Sequence, residues 1–212
     1  MASVAADIAL MNENLKLSES STDGRTVSIT SLVDRAKAGE SVAFDEIIIL
    51  YQNRVFSTAW RLLGNREDAR DAGQEVFLKV FKHLSKFKTE KDFSAWLYRI
   101  IVNVCYDISR KRGPRDQVSS FETEREQGNL EHIASPEDLE AAAIKAQEQA
   151  IILRALKFLS EKERAAVVLR DIEGLSTEEV AHILGSSQTT VRSQISSARA
   201  KIKLFCDRLL NL

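Results

Sequence analysis

The two prolines of this chain, Pro114 and Pro136, stand close together and leave long proline-free stretches on either side. Proline removes a helix donor, clashes with the preceding turn and pushes the residue before it out of helical geometry. With 2 Pro and 8 Gly in 212 residues, the chain has room for long helices and too few turn residues for a β-rich domain. Helical spacing fills that room. Leu32, Val33 and Ala36 share a face that Gly39 ends. Phe44, Ile47, Ile48, Tyr51, Val55, Ala59 and Leu62 mark a long helix from about Ser41, with Gly64 just past its end. Asn65 then caps a third helix that runs to about Leu84, with Glu67 and Asp68 in the first turn, where the helix dipole favours acids. Beyond a short basic loop, Asp92 caps a fourth helix, which Gly113-Pro114 breaks near Arg112.

The second block reads the same way. Ser135-Pro136-Glu137-Asp138 has the cap, the first-turn proline and the acids of a helix start, and that helix reaches about Leu159. Ser160 with Glu163, and Ser176 with Glu179, fit the S-x-x-E capping box. Leu184-Gly185-Ser186-Ser187 is a tight turn before a last helix from about Gln188 to Leu210. The expected fold is all-α. Two helical domains, 28–113 and 136–212, are joined by a flexible acidic linker, 114–135, and preceded by a disordered tail, 1–27.

The net charge of -1 hides a strong pattern. Residues 86–115 carry eight Lys and Arg against three acids, residues 116–149 nine acids against two cations, and residues 186–212 five cations against one acid. Two basic patches flanking an acidic stretch imply contact with a polyanion. Catalysis has no such support: the chain has no phosphate loop, nucleophile motif or recognisable pair of catalytic carboxylates. Cys105, Cys206, His83, His132 and His182 are scattered without metal-ligand or disulfide spacing, so neither a metal nor a cofactor is expected. The start lacks the basic region of a signal peptide, and apolar runs such as Ile47–Leu50 are too short to cross a bilayer. A cytoplasmic protein with no membrane insertion is expected.

The segment LSTEEVAHILGSSQTTVRSQISSARAKIK (175–203) is the most specific feature. It reads as two helices meeting at a turn around Gly185. Val180, Ala181 and Leu184 face inward from the first helix, and Val191, Ile195 and Ala198 from the second. Gln188, Thr189, Arg192, Ser193, Ser196 and Arg199 face outward, as polar and basic groups suited to base edges and phosphates. This is a helix-turn-helix pattern, which by itself is equally that of an ordinary dimeric transcriptional regulator.

The first domain narrows the choice. DARDAGQEVFLKVFKHL (68–84) followed by FSAWLYRIIVNVCYDISRKR (93–112) resembles region 2 of the sigma-70 family, and 175–203 resembles its region 4.2. With no further domain fitting between them, the chain resembles the small extracytoplasmic-function sigma factors of bacteria. The resemblance implies a sigma factor that binds core RNA polymerase, through the β′ clamp and β flap, and directs initiation at promoter DNA. Asp68, Asp71, Gln74 and Glu75 would form the polymerase-binding stripe. Lys86, Lys88, Lys91, Arg99, Asn103, Tyr106, Arg110, Lys111 and Arg112 would meet the -10 element. Gln188, Thr189, Thr190, Arg192, Ser193, Ser196, Arg199 and Lys201 would meet the -35 element. Trp96 reads as core, in a stripe with Phe93, Leu97, Ile100, Val104 and Ile108. The family also makes an anti-sigma factor a possible partner. Gly73, Gln194 and Ser197 depart from the family pattern. Gly73 weakens its helix, and the other two stand where Arg is common.

Overall fold

The computed structural model describes residues 28–89, 91–112 and 150–210, and all the regular structure within them is helical. The expected tail, the acidic linker and the helix start at Pro136 lie outside the described residues. The first unit comprises α1 (Ile29–Lys37), α2 (Ser41–Leu63), α3 (Arg66–His83), a 3-10 turn (Leu84–Lys86) and α4 (Phe93–Arg112). The second comprises α5 (150–157), α6 (Glu161–Val167), a π-helical turn (Val168–Ile172), α7 (Thr177–Leu184) and α8 (Gln188–Leu210).

The helix ends sit where the capping chemistry puts them. The Asn65 side chain accepts from the backbone N–H of Glu67 and Asp68, and Asp92 accepts from that of Ala95. Both capping boxes close, with Ser160 and Glu163 opening α6 and Ser176 and Glu179 opening α7. Gly64 and Gly185 end α2 and α7 in the left-handed region, at φ 71° and 59°, a conformation that a side chain disfavours.

One buried apolar cluster runs from Leu32 in α1 to Ala198 in α8, so the two units are packed together. This packing changes which faces are inside. On α2 the buried positions include Ala43 and Thr58, while Phe44 and Ile48 are only half-buried. On α4 the expected stripe is displaced: Tyr98, Ile101, Val102 and Cys105 are buried with Phe93, Leu97 and Val104, and Trp96, Ile100 and Ile108 are half-buried. The reason is that α4 is covered from two directions, by α2 and α3 of its own unit and by α7 of the other. On α7 it is Ile183, not Leu184, that joins Val180 and Ala181 inside.

Two glycines give opposite predictions. A Cβ at Gly73, within α3, would meet only Val55 Cγ1 at 4.0 Å, an ordinary contact. Gly73→Ala is expected to stabilise the protein by about 0.5–1 kcal/mol in urea denaturation. A Cβ at Gly64 would lie 2.9 Å from Lys157 Cε and in left-handed backbone, so Gly64→Ala is expected to destabilise in the same assay.

Candidate nucleic-acid and partner interfaces

On α3, Asp71, Gln74 and Glu75 are exposed, and Glu75 pairs with Lys79 one turn on at 3.7 Å. Asp68 does not share that surface. It is buried and forms a salt bridge with Arg112, tying the start of α3 to the end of α4. Burial raises the Asp68 carboxyl above its ordinary range, against the pull of Arg112. The α3 surface also holds Leu78 and Phe81, at i+4 and i+7 from Gln74 and 65% and 68% exposed. Neither belongs to the polar stripe that the sequence pattern marks on this helix, although their spacing from Gln74 groups them with it. Phe81 also packs edge-on against Phe44, with ring centroids 5.2 Å apart, so this face mixes exposed apolar and polar side chains.

The loop between α3 and α4 is fastened to α1. Lys37 Nζ donates to the Phe87 carbonyl at 2.9 Å, and Thr89 Oγ1 donates to Asp34 Oδ1 at 2.9 Å. Phe87 is buried and packs on Trp96 and Phe93, with ring centroids 4.8 and 5.6 Å away. This holds Lys86, Lys88 and Lys91 on the surface. Along α4, Arg99, Asn103, Arg110 and Lys111 are exposed, with Arg110 bonded to Asp107 at 2.7 Å. Two candidates point elsewhere. Arg112 is taken up by Asp68, and Tyr106 is half-buried, its phenol pushed up to about 12 chiefly by burial and further by Glu161 of the second unit.

In the helix-turn-helix, Ser187 Oγ accepts from the backbone N–H of Thr190 at 3.1 Å and so caps α8. Gln188, Thr189, Thr190, Arg192, Ser193 and Ser196 are all exposed at its N-terminal half, and Arg192 donates to Gln188 Oε1 at 3.1 Å. Farther along, the cations are engaged by carboxylates of their own unit. Arg199 donates through Nε and Nη2 to Asp171 at 2.9 and 2.7 Å. Lys201 donates to both oxygens of Glu163 at 2.8 Å, and Ser197 Oγ donates to the same carboxylate at 2.5 Å. Ser197 is thus a fastening of α8 to the α6 capping box. Gln194 is half-buried.

The site is therefore a set of surfaces: a polar and apolar face on α3, a cationic loop and edge on α4, and a polar, cationic helix start on α8. Among the described residues no group of His, Cys, Asp and Glu is placed to hold a metal. Burial pushes the Cys105 thiol well above its ordinary range, which suits a core position rather than a nucleophile.

Comparison with known proteins shows the family to which such a chain is similar. The sigma-70 region 2 family matches residues 47–115, and the sigma-70 region 4 family matches residues 149–202. The RNA polymerase sigma-H factor of Pseudomonas aeruginosa is 34% identical over 184 residues, covering 84% of this chain and 94% of that protein. The ECF RNA polymerase sigma-E factor of Escherichia coli is 35% identical over 176 residues, covering 81% and 90%. Among solved structures, CnrH in complex with the cytosolic domain of CnrY superposes with a TM-score of 0.59 at 26% identity, over 84% of this chain and 97% of that one. The sigma factor RpoE in complex with the anti-sigma factor NepR from Bartonella quintana superposes with a TM-score of 0.57 at 25% identity, over 77% and 96%.

The fastening of α8 has a pH signature. Lys201, then Ser197 and Ser160, hold the Glu163 carboxyl down to about 2, below its ordinary 4.5. A depressed carboxyl contributes stability above its unfolded pKa and loses it as the pH falls toward the folded one. The stability difference between the native chain and Glu163→Gln is therefore expected to be full near pH 6 and to shrink between pH 5 and pH 3, as read by urea denaturation at each pH.

Proposed function

The chain belongs to the sigma-70 family, in its small extracytoplasmic-function type, and from that membership we propose which of its surfaces performs each part of the work. It is an alternative sigma factor: it binds core RNA polymerase and directs promoter-specific initiation by recognising -35 and -10 elements. Two family regions in the order of region 2 and region 4 carry this reading. An ordinary helix-turn-helix regulator would leave the first region without a role.

In our reading, 28–113 is the polymerase-docking and -10 domain and 136–212 the -35 domain. Asp71, Gln74 and Glu75 contact the polymerase clamp, with Leu78 and Phe81 adding apolar area beside them. Asp68 serves that surface from below by joining α3 to α4. Lys86, Lys88 and Lys91 attract the phosphates of the opened strand, while Arg99, Asn103, Arg110 and Lys111 form the edge along which it lies. Gln188, Thr189, Thr190, Arg192, Ser193 and Ser196 enter the -35 major groove. Arg199 and Lys201 contribute by fixing the angle of α8 through Asp171 and Glu163. The protein supplies binding and strand capture, and the chemistry belongs to the polymerase. No helix among the described residues is long and apolar enough to cross a membrane, and its work on polymerase places it in the cytoplasm. The two superposed relatives were solved with CnrY and with an anti-sigma factor bound, which supports control of this chain by a protein of that kind.

Two measurements test the assignment. Purified core polymerase is expected to retain the native chain in a pull-down and to lose most of a variant carrying Asp71→Ala and Gln74→Ala. Failure of the folded native chain to bind would overturn the docking role. Arg192→Ala is expected to weaken binding to a -35 duplex by about 1–3 kcal/mol while leaving polymerase docking intact. Equal loss of both would show that the two domains do not divide the work.

A further inference from the structure

The loop that carries Lys86, Lys88 and Lys91 is gripped from two sides. Beneath it, the buried Phe87 ring packs on Phe93 and Trp96 of α4. Beside it lies α1, on which Asp34 and Lys37 stand at i and i+3 and share a face. Lys37 Nζ donates to the Phe87 carbonyl at 2.9 Å and to Thr89 Oγ1 at 3.4 Å. Thr89 Oγ1 donates in turn to Asp34 Oδ1 at 2.9 Å. The Thr89 hydroxyl thus joins the cation to the carboxylate, and the two grips fall on the residues either side of Lys88. The Lys91 N–H donates to the Lys88 carbonyl at 3.0 Å, which closes a turn with Thr89 inside it. Holding Thr89 therefore sets the directions in which Lys88 and Lys91 leave the loop. α1 is itself fixed. Leu32 and Val33 are buried in the core, and the Glu40 N–H closes its last turn on the Arg35 carbonyl at 3.1 Å.

Resting on the sigma-factor reading, we propose that Asp34, Lys37 and Thr89 are positioning residues for strand capture: they hold the loop in the conformation in which its lysines meet the opened strand, and they touch no DNA themselves. Lys86, Lys88 and Lys91 are exposed and repel one another. A loop free to move would spread them. Gathering them as the strand arrives would then cost both that repulsion and the loop's conformational freedom. In the gripped loop those costs are incurred once, on folding, and strand binding is stronger by the difference. Exposure separates the two groups of residues. Lys37 and Thr89 are half-buried, and the Lys37 ammonium is engaged by a carbonyl and a hydroxyl rather than held out to a phosphate. Asp34 is exposed beside the cationic loop. An acid there lowers the local attraction for phosphate, so its contribution to strand capture is its bond to Thr89 and not its charge.

The test uses the full chain assembled with core polymerase. The probe is a fluorescein-labelled single strand, selected from a random-sequence pool for tight binding to the native assembly. Anisotropy gives its affinity across a salt titration. Thr89→Val and Asp34→Ala are each expected to weaken binding several-fold, with the salt slope and polymerase retention of the native assembly. Thr89→Ser, which keeps the hydroxyl, is expected to restore native affinity. Lys37→Met is expected to weaken binding at an unchanged slope. A slope shallower by about 0.7 would instead show Lys37 meeting a phosphate itself and overturn its assignment. The sign of the Asp34→Ala effect is decisive. Tighter binding would show that Asp34 acts only as a charge, and native affinity in Thr89→Val would overturn the grip. If Thr89→Val lowers the melting temperature, Asp34→Ala and the Thr89→Ser rescue decide. Lys86→Ala with Lys88→Ala separates this proposal from the reading beneath it. Strand binding unchanged in that double variant would refute the loop's role in capture, and positioning would fall with it. Binding lost there but native in Thr89→Val and Asp34→Ala would refute positioning alone.

Discussion

The burial of α4 from two sides is the constraint on which the rest of the molecule depends. α2 and α3 cover one side and α7 covers another, so Leu97, Tyr98, Ile101, Val102, Val104 and Cys105 are all withdrawn from water. A helix buried over so wide an arc keeps only a narrow edge for other work. The positions that stay exposed on it are Arg99, Asn103, Arg110 and Lys111, each polar or cationic. The same packing carries α2 and α3 with it: Thr58 of α2 is drawn inside, while Asp71, Gln74, Leu78 and Phe81 of α3 are left on the free side.

The charges divide into those that hold the molecule together and those that remain available to a polyanion. Asp68, Asp171 and Glu163 are each buried or nearly so, and each has an Arg or Lys partner: Arg112, Arg199 and Lys201. A carboxylate withdrawn from water without such a partner would be costly, which is why the pairing is strict at these positions. Lys86, Lys88, Lys91, Lys111 and Arg192, in contrast, stand exposed on a loop and on two helices. Phosphate binding draws on such exposed cations, because they gain counterion release without first breaking an ion pair with a buried carboxylate.

Much of the helical plan was legible because capping is local. Asn65, Asp92, Ser160, Ser176, Gly64 and Gly185 bond to or shape backbone within a few residues, and each stands where its spacing placed it. The candidate site was legible to the extent that exposure follows from helical period, as it does for Asp71, Gln74, Asn103 and Arg192. It was not legible where a partner lies far along the chain. Nothing near Arg199 announces Asp171, and nothing near Arg112 announces Asp68. Tyr106 has a spacing compatible with the DNA-facing edge, yet it is half-buried.

The sequence by itself determined the helices, their ends, the helix-turn-helix and the order of two family regions, because these depend on hydrogen bonds and periodicity over a few residues. Only the tertiary structure decided that the two units share one apolar cluster, that Glu173 and Arg164 bind across it, and which cations are left exposed. Those outcomes depend on contacts between residues far apart in the chain, such as Thr58 with Glu173, and no local pattern encodes which distant surface a helix will meet.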